Sequence, residues 1–120
     1  MRVAIVEKST AVREAIAALL QGRANLVEAA SFAELLALPE PVDVVVADFA
    51  ACAEPCRRDL EALRRKWPAV RLVVATPGDE GEYGQAAAAF HADDWIPKPR
   101  LGLLLPGVLD RLGKSLATAR

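Results

Sequence analysis

The sequence predicts an α/β domain in which a five-stranded parallel sheet carries helices on both faces. Short apolar runs recur at residues 2–6 (RVAIV), 42–47 (VDVVVA) and 70–75 (VRLVVA). Continuous β-branched runs of this length mark strands covered on both faces. Between them lie stretches whose apolar residues fall at helical spacing. Strand and helix alternate five times, and such alternation builds a parallel sheet with right-handed crossovers.

Each element has its own signal. After the first strand, Val12, Ile16, Leu19 and Leu20 form one helical stripe, with Ser9 as its cap and Gly22 as its stop. Residues 25–29 read as a weaker second strand. Ser31 and Glu34 make a capping box that opens a short second helix through Leu35 and Leu36. Pro55 suits the first turn of a third helix, where Leu60, Leu63 and Trp67 share a face and Pro68 ends it. Residues 85–90 predict an Ala-rich fourth helix, residues 94–97 a short last strand, and residues 103–116 a fifth helix. Pro106 and Gly107 lie inside that last stretch, and a mid-helix proline costs ~3 kcal/mol unless it sits in the first turn.

Composition narrows the function classes. The 120 residues are 53% hydrophobic and 26% charged, which suits one globular domain spanning 1–120. A net charge of -1 leaves no electrostatic footprint for nucleic acid or a membrane surface. No apolar run reaches the ~18 residues a spanning helix needs. Glu7 interrupts the amino-terminal apolar run too early for a signal-peptide core, so the expected compartment is the cytoplasm. Cys52 and Cys56 with the single histidine, His91, do not make a zinc ligand set.

In a parallel α/β sheet, ligands gather where the carboxyl ends of the strands meet. Glu7 and Lys8 follow the first strand, Asp48 the third, Thr76 the fourth, and Lys98-Pro99 the fifth. In this order, at these strand ends, and with the run HADDWIPKP at 91–99, the whole chain resembles the response-regulator receiver family. The resemblance implies a flavodoxin-like, doubly wound fold with strand order 2-1-3-4-5. It implies Asp48 as phosphoacceptor, Thr76 and Lys98 as catalytic partners, and Thr76 with Trp95 as the switch pair. It also implies a magnesium ion held by Glu7, Asp48 and the Ala50 carbonyl. The implied partners are a sensor histidine kinase or phosphotransfer protein, and the domain itself is not an enzyme.

The chemistry explains those residue types. An acyl phosphate needs an ionised carboxylate nucleophile. The transferring group spreads negative charge over its oxygens, so cations must gather round it. A hard divalent ion and the Lys98 point charge would supply them.

Three departures weaken the pattern. Lys8 replaces the second acid, which in the family is a direct metal ligand. At ~4 Å and an effective dielectric near 20, each unit pair of charges is worth up to ~4 kcal/mol, enough to outweigh a weak magnesium site. The Lys8 ammonium is therefore expected at or beside the metal position, paired with Asp48, or else snorkelling to solvent, where the attraction falls to ~1 kcal/mol or less. Ala51 and Cys52 replace the family's Met-Pro, which loosens the loop after Asp48 and the Ala50 carbonyl. Pro77-Gly78 follows Thr76 where the family more often has Ala.

Two readings follow: a receiver phosphorylated on Asp48, and a pseudo-receiver that signals through protein contacts without phosphate or magnesium. A flavin carrier on the same fold would want a Ser/Thr/Gly-rich loop after the first strand, where Glu7-Lys8-Ser9 stands instead. The basic residues Arg57, Arg58, Arg64, Arg65 and Lys66 are read as a solvated helix face, with Glu61 pairing to Arg57 and Arg65. The leucines at 103, 104, 105 and 109 exceed one helix face, so some are candidates for a homodimer or partner contact.

Overall fold

The computed structural model describes residues 1–119, with side chains to Leu116, so the last residue of the expected 1–120 domain lies outside the described residues. Five parallel strands, β1 (Arg2–Val6), β2 (Asn25–Ala29), β3 (Val44–Asp48), β4 (Arg71–Thr76) and β5 (Asp94–Pro97), form one sheet. Their order is β2-β1-β3-β4-β5, as the resemblance implies. Successive side chains of a strand point to opposite faces, and the sequence fills both. Val3 and Ile5 join Ile16, Leu20, Leu105 and Leu109 in one buried layer. Ala4 and Val6 join Phe32, Leu35, Leu60 and Leu63 in the other. Helices α1 (Thr10–Leu20) and α6 (Leu101–Ala119) therefore cover one face, and α2 (Phe32–Leu36) and α4 (Arg57–Lys66) the other, with α5 (Gly81–Ala89).

The helix caps follow the sequence. Ser9 accepts from the Val12 amide, and Gly22, at φ 80°, supplies the left-handed residue beyond α1. Ser31 accepts from the Glu34 amide, while the Glu34 carboxylate reaches back to the Ala30 amide rather than to Ser31.

Four helical features differ from what the sequence predicts. A helical turn, α3 (Phe49–Cys52), follows Asp48 directly where a loop was expected. Helix α4 starts at Arg57, so Pro55 precedes it instead of filling its first turn. Helix α5 starts at Gly81, four residues before the Ala-rich run. Helix α6 starts at Leu101, behind a 3-10 turn at Lys98–Arg100, which leaves Pro106 inside the helix. Burial of Leu101, Leu105, Leu109 and Leu112 on one stripe outweighs the missing Pro106 amide. Pro106→Ala should therefore raise stability by about 2 kcal/mol, the helix-interior penalty less the greater freedom of the unfolded alanine chain. Urea unfolding checks this, and an unchanged or lower midpoint would contradict it.

The basic face of α4 is largely spent on its neighbours. Arg57 donates to the Ala89 carbonyl and Arg64 to the Phe90 and His91 carbonyls at the end of α5. Lys66 donates to the Leu36 and Leu38 carbonyls at the end of α2. Cations at helix carboxyl ends satisfy orphan carbonyls and oppose the dipole. Arg57 also pairs with Glu61 at 3.5 Å, as the spacing predicts.

Candidate functional site

Sheet register assembles the site. Val6 pairs with Ala47, which sets Glu7 beside Asp48. Asp48 pairs with Ala75, which places Thr76 one step further along the same rim. Thr76 pairs with Pro97, and Lys98 follows. Four residues that are far apart in sequence thus leave the sheet at one carboxyl edge, beside the β1/β3 point where strand order reverses.

Lys98 is the centre of the cluster. Its Nζ lies 2.7 Å from Asp48 Oδ1 and 3.4 Å from Glu7 Oε2. Glu7 is only 4% exposed, and its Oε1 accepts the Ser9 amide at 3.1 Å. A buried carboxylate requires such partners, because an unpaired charge out of water is costly. Burial pulls the Lys98 pKa down, but the hydrogen bond and charge of Asp48 and the charge of Glu7 outweigh it, so the ammonium titrates above 10.5. Because the folded value exceeds the unfolded one, this contribution to stability is fully present below pH 10.5 and is lost as pH rises through the folded value. Urea midpoints should therefore fall at high pH more steeply in the native chain than in Lys98→Met.

Arg13 is a supporting residue the sequence reading missed. Its Nη1 donates to the Glu7 carbonyl at 2.7 Å and its Nε lies 3.4 Å from Glu28, so it braces the turn after β1. The only signal is its place one turn into α1, facing the end of β2.

The remaining expected residues fall as follows. Thr76 is fully buried, and its hydroxyl donates to the Gly78 carbonyl at 2.7 Å. Trp95 is half-buried against the layer that contains Phe90 and Val74. Lys8 is exposed and forms no ion pair among the described residues, which corrects the expected Lys8–Asp48 pairing. Lys98 reaches that carboxylate from the end of β5, across β4, while Lys8, although it follows the adjacent β1, keeps its ammonium in water. Lys8, Asp48 and Ala50 still line one cavity of about 320 Å³, with Ser31, Phe32 and Cys56.

Burial, and then the charge of Asp48, push the Cys52 thiol up to about 12, whereas Cys56 is exposed. The thiolate is the reactive form, so iodoacetamide at neutral pH should label Cys56 and spare Cys52. Intact mass would show one adduct; two would contradict the burial of Cys52.

The residues present suit a divalent ion poorly. Lys98 already engages both Glu7 and Asp48, and no group of three or more His, Cys, Asp and Glu side chains suited to a metal occurs among the described residues. Lys98 offsets one of the two carboxylate charges and Lys8 stands where a third acid would be needed, so a magnesium ion would leave one positive charge in excess in a partly buried site.

No protein-family model and no curated relative matches the chain. Solved structures do. The BeF3-activated receiver domain of Thermotoga maritima DrrB is 18% identical, with a TM-score of 0.81 over 94% of this chain and 97% of that one. A CheY-like receiver domain protein from Methanospirillum hungatei is 21% identical, with a TM-score of 0.77 over 98% and 97%. The chemotaxis response regulator CheY4 of Vibrio cholerae is 23% identical, with a TM-score of 0.77 over 92% and 97%. This chain spans 52% of the longer DrrB response regulator. Strand order, both helical layers and chain-wide superposition agree: the chain has the fold of a response-regulator receiver domain.

Proposed function

We propose that this chain is a receiver-type interaction module of two-component signalling, with Asp48 at the phosphoacceptor position but with little or no metal-assisted phosphorylation. It is a signalling partner, not an enzyme, and works in the cytoplasm with a histidine kinase or phosphotransfer protein. The supporting observation is the ion-pair cluster: Lys98 bridges Asp48 and Glu7, while Lys8 stands where a third acid would be needed. An incoming dianionic phosphoryl group needs surplus positive charge around its oxygens, and here the cationic groups are either spent on carboxylates or turned to solvent.

The second reading is a conventional switch phosphorylated on Asp48. It is favoured by the placement of Asp48, Thr76 and Lys98 at strand ends along one sheet edge. Incubation with acetyl phosphate and magnesium, followed by intact mass, separates the two. The proposal expects little or no phosphoryl adduct on folded protein that still binds its partner. A stoichiometric adduct, absent from Asp48→Asn, would overturn it in favour of the second reading.

A further inference from the structure

Helix α5 contains two glycines, Gly81 as its first residue and Gly84 further in, and a glycine in a helix lowers stability relative to alanine, most in the interior. At Gly81 a Cβ would meet nothing within 4 Å. At Gly84 it would lie 2.9 Å from Trp95 Cζ2, 3.2 Å from Cε2 and 3.4 Å from Nε1. The indole therefore lies against bare helix backbone, and Gly84 is the notch that admits it. A rigid two-ring side chain cannot bend away locally; it must swing as a whole or push α5 off the sheet.

Two further contacts hold the same helix. The Phe49 ring, next to Asp48 in sequence, meets Tyr83 edge-on with centroids 5.1 Å apart. Arg57 and Arg64 cap the carboxyl end of α5 through the Ala89, Phe90 and His91 carbonyls. The Thr76 hydroxyl, which would have to reach the rim to carry a signal from Asp48, is instead committed to Gly78 in the loop leading to α5. None of these contacts uses the Asp48 carboxylate.

We propose that the Trp95 indole seated in the Gly84 notch latches α5 onto β5, so that the α5–β5 face is held in one arrangement whatever the state of Asp48. This rests on the reading of the chain as an interaction module, and it adds that the module's face is preset by packing. The latch predicts a sign reversal: alanine at position 84 should harm the fold when Trp95 is present and help it when the indole is gone.

The test uses Trp67→Phe chains, in which Trp95 is the only tryptophan, and reads thermal midpoint and emission. Gly84→Ala should lower the midpoint and red-shift Trp95, while Gly81→Ala should raise the midpoint. In Trp95→Ala, Gly84→Ala should raise it as well. If Gly84→Ala alone fails to fold while the Trp95→Ala double variant folds, the latch stands; if both fail, it is overturned. An unchanged or higher midpoint for Gly84→Ala with Trp95 present also overturns it. Asp48→Asn should leave Trp95 emission unchanged, and a red shift like that of Gly84→Ala would sink the proposal. A phosphoryl adduct on Asp48 would refute the functional reading yet leave this cycle intact, so the two failures are distinguishable.

Discussion

Lys8→Asp is expected to create magnesium affinity where the native chain has little. The substitution changes the charge beside Asp48 by two units and restores a third acid to the rim occupied by Glu7 and Asp48. Lys8 is exposed, so solvent screens each unit to ~1 kcal/mol or less, and together they are worth up to ~2 kcal/mol, or about thirtyfold in affinity at most. Acetyl phosphate labelling of Asp48 should rise in step, because a bound cation offsets the charge of the incoming group. Calorimetric titration with magnesium and intact mass after phosphodonor treatment check the two halves. Equal affinities for the native chain and the variant would show that Lys8 does not control the site.

The second large effect lies in the packing that carries the rim. Leu105 is fully buried, in the layer that joins α6 to Val3, Ile5 and Val44. Leu105→Ala should cost about 3 kcal/mol, the lost transfer free energy plus that of the cavity left behind. Leu104, one residue earlier and 39% exposed, should cost well under half of that when changed to Ala. Urea unfolding of the two variants measures the difference. Similar losses would mean that α6 presents a different stripe to the sheet.

The three central strands, β1, β3 and β4, were legible because their β-branched runs stay apolar on both faces, as a sandwiched parallel strand requires. Helix ends were less so. Pro106 argues locally for a break, and only the leucine stripe buried against the sheet overrides it. The turn α3 is too short to leave a periodic pattern. The start of α5 is masked by Gly81 and Gly84, whose meaning depends on the indole of a later strand.

At the candidate site, the strand-end positions of Glu7, Asp48, Thr76 and Lys98 could be read directly because each ends or follows a strand, and parallel register aligns strand ends. The partner of Asp48 could not. Lys8 and Lys98 compete for one carboxylate, and the winner is set by where each backbone leaves the sheet. Arg13 escaped notice for the same reason, since its acceptors lie on the turn after β1 and on β2.

The most direct measurement is a magnesium titration of the native chain, followed by the backbone amide shifts of Glu7, Asp48 and Ala50. With Lys98 engaging both carboxylates and Lys8 in place of a third acid, no saturable change is expected through the millimolar range in which weak sites fill. Saturating shifts at all three residues below that range would mean that the ion displaces Lys98 from both carboxylates, and the proposed metal-poor signalling module would be wrong.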